Sequence, residues 1–175
     1  MKTIERLNAI EASAESWRKS MAGIAPEDVS LMRLIRVASL GITAFVDPML
    51  RDSRLTESSY HSLIVIVASG GKGITVTALC DQVGQARANM TRILKLLASM
   101  DLILMRADSG DSRRKRVIAT DKGNRLIRTL SKRLSPIVRL AFSGVSAEQK
   151  QSLHQLLGKL IASASMAETE ALKFS

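Results

Sequence analysis

Arg87 and Asn89 stand two residues apart in the stretch Gln85–Arg92, at the start of a helical pattern. A guanidinium can bond guanine O6 and N7 together, and a carboxamide can do the same at adenine N6 and N7. Gln85, Thr91 and Arg92 suit phosphates or base edges. Ala86 and Ala88 are small enough to let a helix approach closely, and can meet a thymine methyl. Downstream, Asp111 precedes four consecutive cations, Arg113, Arg114, Lys115 and Arg116, after a single serine. An arginine at a hairpin tip can enter a narrow minor groove, where the potential is most negative. Lys115 and Arg116 can then reach phosphates. Asp111 can pair with Arg113, and such an exposed pair orients the loop more than it stabilises it.

The order of elements around these residues is that of a winged helix-turn-helix. Thr75 or Thr77 caps a short helix ending near Val83, and Gly84 suits a turn that needs a positive φ. A second helix spans 86–100, with Met90, Ile93, Leu94 and Leu97 facing a core. Leu102–Arg106 and Arg116–Ala119 read as paired strands, with the polar segment between them as the turn. Upstream, apolar spacing predicts an amphipathic helix over 3–21. A longer helix follows over 26–50, burying Leu31, Leu34, Ile35, Ala38, Ile42 and Phe45. Another begins after Thr56 and ends at the glycines of 69–73. Thr120 caps a helix to about Phe142, with Leu126, Ile127, Leu130, Leu134, Val138 and Leu140 available for burial and Pro136 bending it. Ser146 opens a last helix with Leu153, Leu156, Leu157, Leu160 and Ile161 as its stripe. The expected fold is mainly α with a small β-hairpin wing, flanked by terminal helices.

Composition narrows the partners. Residues 86–133 hold 13 of the 26 Lys and Arg, opposed only by Asp101, Asp108, Asp111 and Asp121. This segment has a net charge of +9 out of a total of +10, the footprint expected for a polyanion partner. Aromatic residues make up 3% of the chain, too few for the stacking platforms that single-stranded nucleic acid needs. Two distant histidines and a single cysteine, Cys80, offer no metal cluster. Cys80 sits where a small core residue is expected. No nucleophile lies beside a base and no phosphate loop is complete, so the chain reads as a non-enzyme without cofactors. No apolar run reaches a membrane span and no signal-peptide core is visible, which points to the cytoplasm.

Thr75–Gly84, Asn89–Leu97, Met100–Ile103 and Asp111–Gly123 together resemble the multiple antibiotic resistance regulator (MarR) family, over about residues 55–130. The wing pattern is the most specific part: Asp111, one residue, Arg113, then Val117 and Thr120-x-x-Gly123. The resemblance implies a homodimeric transcription factor, usually a repressor, on pseudo-palindromic double-stranded DNA. It places the recognition helix at 86–100, the wing arginine at Arg113 and its aspartate partner at Asp111. Two departures stand out. The helix at 3–21 is longer than is usual there, and Ser112 occupies a place where a second arginine is common, which Arg114 can compensate.

The resemblance also implies release of DNA by a small phenolic or anionic effector bound between dimer helices and winged domain. Arg36, Arg51, Tyr60 and His61 are the polar candidates near the helices at 26–50 and 56–68. The expected organisation is 1–54 for dimerisation and part of the effector pocket, 55–123 for DNA, and 124–175 for dimerisation. The competing reading is a winged module for protein or RNA without operator specificity.

Overall fold

The computed structural model describes residues 2–21, 23–107 and 115–174. The chain forms two compact units, Met1–Leu134 and Ser135–Ser175. The first opens with three helices, α1 (Thr3–Ala12), α2 (Ala14–Ser20) and α3 (Pro26–Leu50). The sequence predicts one helix over 3–21; the structure has two. The reason is Ser13, whose hydroxyl bonds the Ala9 carbonyl at 2.7 Å. Side-chain bonding of this kind competes with the helical ladder and bends it. α1 lies antiparallel along α3. Thr3 packs at Gly41, where a Cβ would come within 3.1 Å of its methyl. At the other end Arg33 donates to Ser13 Oγ at 2.8 Å and lies 4.9 Å from the centre of the Trp17 ring.

α3 begins with Pro26, Glu27 and Asp28, which suit a helix N-terminus by fixed φ and by charge. Its buried face differs from the expectation. Leu31, Ile35, Ala38 and Ile42 are exposed, while Leu34 and Phe45 are half-buried. Val46 and Leu50 are the buried residues. The cause is reach: only the C-terminal end of α3 enters the winged core. Residues 26–53 are long and apolar enough to cross a membrane by length and composition, contrary to the sequence expectation. The insertion of Val46 and Leu50 into the winged core supplies another use for that apolar character.

A 3-10 turn, Arg51–Ser53, leads to α4 (Glu57–Ala68). Thr56 caps α4 by accepting from the Ser59 amide, and Asp47 Oδ1 accepts from the Glu57 amide at 2.7 Å. That second bond ties the end of α3 to the start of α4. Leu63 and Ile66 of α4 are wholly buried. Ser59 and Ser62 are buried too, and their hydroxyls bond the Thr56 and Ser58 carbonyls, so no polar group is left unmatched in the contact.

Next come β1 (Ile74–Thr75), α5 (Val76–Val83), α6 (Arg87–Ser99), β2 (Ile103–Ala107) and β3 (Lys115–Ala119). The sheet is antiparallel in the order β1-β3-β2. The hairpin β2–β3 was legible in the pattern of residues, but β1 was not. It has two residues and exists because Gly73, at φ +65°, lets the chain pass close to β3. A Cβ at Gly73 would fall 2.6 Å from the Val117 carbonyl oxygen.

α7 (Asp121–Ala141) follows β3 after Thr120 alone. Gly123, Ile127, Leu130 and Leu134 are its buried residues, whereas Val138 and Leu140 are exposed. Helical geometry continues through Pro136. In the second unit, α8 (Ala147–Ala171) is opened by a reciprocal cap between Ser146 and Gln149. Ser146 Oγ also donates to Glu148 at 2.8 Å, which holds that carboxyl below its ordinary pKa. Leu153, Leu156, Leu157, Leu160 and Ile161, the expected stripe, are all exposed on α8.

Candidate nucleic-acid interface

The turn between α5 and α6 is built on Gly84. Its φ of +68° is the left-handed conformation that glycine adopts without strain. The Gln85 amide reaches back to the Cys80 carbonyl at 3.0 Å, closing the end of α5. Thr75 caps the other end, accepting from the Ala78 amide at 3.3 Å. Leu79 and Cys80 point into the core, as expected of Cys80. α5 is thus a short rigid support for the turn.

α6 is held from one side. Met90 and Leu97 are wholly buried, and Ile93 and Leu94 nearly so, as the spacing predicts. Fully burying one such side chain contributes about 1.5–3 kcal/mol. Exposed on α6 are Arg87, Ala88, Asn89, Thr91, Arg92 and Lys95. Gln85, half-buried, precedes the helix and accepts a hydrogen bond from the Asn89 amide group. Arg87 Nη2 is 3.4 Å from Thr77 Oγ1 on α5, and Thr91 Oγ1 donates to the Arg87 carbonyl at 2.9 Å. The Thr77 and Gln85 contacts tether the Arg87 and Asn89 side chains, and both residues remain exposed. Ala86, in the N-cap position, supplies no side-chain cap. The first-turn amides and the positive end of the helix dipole are therefore available to an anion. Lys95 extends the cationic face, and its spacing from Thr91 and Arg92 would have been sufficient to find it.

The wing is anchored at its base. Thr120 Oγ1 donates to the Asp101 carbonyl at 2.7 Å and accepts from the Gly123 amide at 3.0 Å. The Thr120 amide bonds the Leu102 carbonyl at 3.0 Å, and Lys122 pairs with Asp101 at 3.6 Å. Asp111, Arg113 and Arg114 lie outside the described residues. Lys115 is exposed at the start of β3, paired with Ala107. Arg116 is half-buried, and its Nη1 donates to the carbonyls of Gly73 at 3.1 Å and Lys72 at 3.4 Å. It braces the wing against the 70–73 segment, a role its place in a cation run did not disclose.

The four effector candidates are distributed over three elements. Arg36 is exposed on α3, Arg51 is exposed in the 3-10 turn, and Tyr60 and His61 lie on α4, half-buried and exposed respectively. A cavity of about 400 Å³ lies elsewhere, between α1, α2 and the first half of α3. Its wall includes Ile10, Trp17, Val29, Leu31 and Arg33, and none of the four candidates.

Comparison with solved structures decides the fold. MepR of S. aureus bound to DNA superposes with a TM-score of 0.68 at 21% identity, covering 76% of this chain and 95% of that one. A MarR C80S mutant from E. coli, complexed with operator DNA, gives 0.68 at 20% identity, covering 77% and 95%. The chain has the winged-helix fold of the MarR-family regulators. CouR from Rhodococcus jostii, bound to p-coumaroyl-CoA, shares that MarR fold with a TM-score of 0.67 at 19% identity, covering 74% and 90%. A family profile, the B-block binding subunit of TFIIIC, matches residues 56–127. That span runs from α4 to the first turns of α7. No curated protein sequence matches.

Proposed function

We propose that the protein is a homodimeric, sequence-specific DNA-binding regulator of transcription, cytoplasmic and without enzymatic activity. The observation that carries this is α6: one face is locked into the core by Met90, Ile93, Leu94 and Leu97, while Arg87, Asn89 and Arg92 are exposed on its first two turns. A rigid helix with outward bidentate donors is what major-groove reading needs. The MepR and MarR structures with DNA share this fold, which supports the reading by analogy.

The homodimer is favoured by the exposed apolar residues of α3 and α8. Leu31, Ile35 and Ile42 on one, and Leu156, Leu160 and Ile161 on the other, are between 39% and 69% exposed. Apolar surface of that extent marks an interface. Two copies would present two recognition helices to the half-sites of a pseudo-palindromic operator. The chain acts as a repressor, released by a small phenolic or anionic effector near Arg36, Arg51, Tyr60 and His61. Such a ligand works by binding the DNA-incompetent arrangement more tightly.

The decisive experiment is a salt titration on operator and random duplexes. Operator affinity is expected to exceed random affinity and to fall steeply with salt. Equal affinity for both duplexes at all salt concentrations would sink the regulator reading in favour of a protein-interaction module. Arg87→Ala and Asn89→Ala are each expected to relax base preference at particular operator positions, at about 1–3 kcal/mol for each base no longer read. Selection from a randomised duplex pool checks this. An unchanged selected motif would exclude these two side chains from base reading.

A further inference from the structure

The cation-rich segment does not end at the wing. Five of its thirteen Lys and Arg lie on α7: Lys122, Arg125, Arg128, Lys132 and Arg133. Two of them are used within the fold. Lys122 pairs with Asp101 at 3.6 Å, and Arg133 with Asp52 at 2.8 Å. Arg125, Arg128 and Lys132 are different. They fall at i, i+3 and i+7, on the side of the helix turned away from buried Gly123, Ile127, Leu130 and Leu134. All three are exposed, and none has an ion-pair partner among the described residues. Asp121 lies one turn before Arg125 without pairing to it. A row of like charges on one helix face is destabilising in isolation, which favours an external anion.

We propose that Arg125, Arg128 and Lys132 form a second phosphate-contact surface, engaging duplex DNA that continues past the wing. This rests on the DNA-binding reading above and extends its footprint. The length suits several phosphates: seven residues of helix rise about 10 Å, and the phosphates of one strand recur about every 3.4 Å of DNA helix axis. Continuity matches as well. α7 leaves the wing strand β3 through Thr120 alone, so the row starts just beyond the wing base. The contact is sequence-independent, since it addresses backbone only.

The test uses the full chain, with an 18-base-pair and a 40-base-pair duplex of fixed random sequence, in fluorescence anisotropy across a salt series. The variant is Arg125→Ala/Arg128→Ala/Lys132→Ala. On the longer duplex, its slope of log affinity against log salt is expected to flatten by about 2–3 for each copy of the chain engaged and about 5 for the dimer, at roughly 0.9 for each phosphate no longer neutralised. Affinity at moderate salt is expected to fall at least tenfold. On the shorter duplex both quantities should match wild type. The Lys-substituted variant Arg125→Lys/Arg128→Lys should retain the wild-type slope, and circular dichroism melting should show all variants folded. Equal slopes for wild type and the triple variant on the longer duplex overturn the proposal and leave α7 to a protein partner. An equal loss on both duplexes also overturns it, because the row would then belong to the central interface. Failure of wild type to bind either duplex overturns the DNA reading itself.

Discussion

Gly123→Ala is expected to destabilise the winged unit by about 3 kcal/mol, read as a lowered midpoint of chemical denaturation. The warrant is space. A Cβ on Gly123 would sit 2.2 Å from the Leu102 carbonyl oxygen and 3.2 Å from its carbonyl carbon. Those are backbone atoms, so no rotamer change can make room. Nor is the backbone free to retreat. The same Leu102 oxygen accepts the Thr120 amide, and the Leu102 side chain is 1% exposed. On the other side, Thr120 Oγ1 holds the Gly123 amide at 3.0 Å. Relief would require α7 to move off Leu102 at the base of the wing, and DNA affinity should fall with stability. The backbone of Gly123 is not in the left-handed region, so the substitution probes packing without conformational strain. A variant within about 1 kcal/mol of wild type would mean that the close approach relaxes cheaply and is not what seats the helix.

Arg113→Ala is expected to weaken operator binding by about 1–3 kcal/mol, roughly five- to 150-fold, while leaving the protein folded. Arg113 and Asp111 lie outside the described residues. β2 and β3 pair through Ala107 and Lys115, and residues 108–114 connect them. The resemblance to the MarR wing implies that Arg113 is the wing arginine, and a guanidinium meets the strongest negative potential in a narrow minor groove. Anisotropy on an operator duplex checks this, with thermal melting as the control for folding. Affinity within a factor of two of wild type would remove Arg113 from the interface. Asp111→Ala is expected to have a smaller effect, because it alters the orientation of the loop rather than a contact.

The winged core was readable because local and tertiary requirements agree there. Met90, Ile93, Leu94 and Leu97 recur at helical spacing and are all buried. Gly84 was legible because only a few residues tolerate its conformation. Thr56, Thr120 and Ser146 announced helix starts by residue type and do cap them. Two features carry too weak a local signal to be read: a single serine, Ser13, turns its hydroxyl back on the Ala9 carbonyl and divides the N-terminal helix. β1 forms against β3, and no two-residue strand has a periodicity to detect.

The terminal helices show the limit most clearly. Their apolar stripes are evident in the residues, yet Leu31, Ile35 and Ile42 of α3 and the leucines of α8 are exposed in the single chain. Periodicity says that a face needs covering and cannot say what covers it. By itself the sequence determined the order of elements, the rigid second helix of the turn and the concentration of positive charge, all of which depend on neighbours a few residues apart. Only the tertiary structure decided which cations are already engaged, such as Arg116 on Gly73, Lys122 on Asp101 and Arg133 on Asp52. Arg125, Arg128 and Lys132 are exposed. The reason is physical: a charge is counted in the chain, but its partner is chosen by distance in the fold.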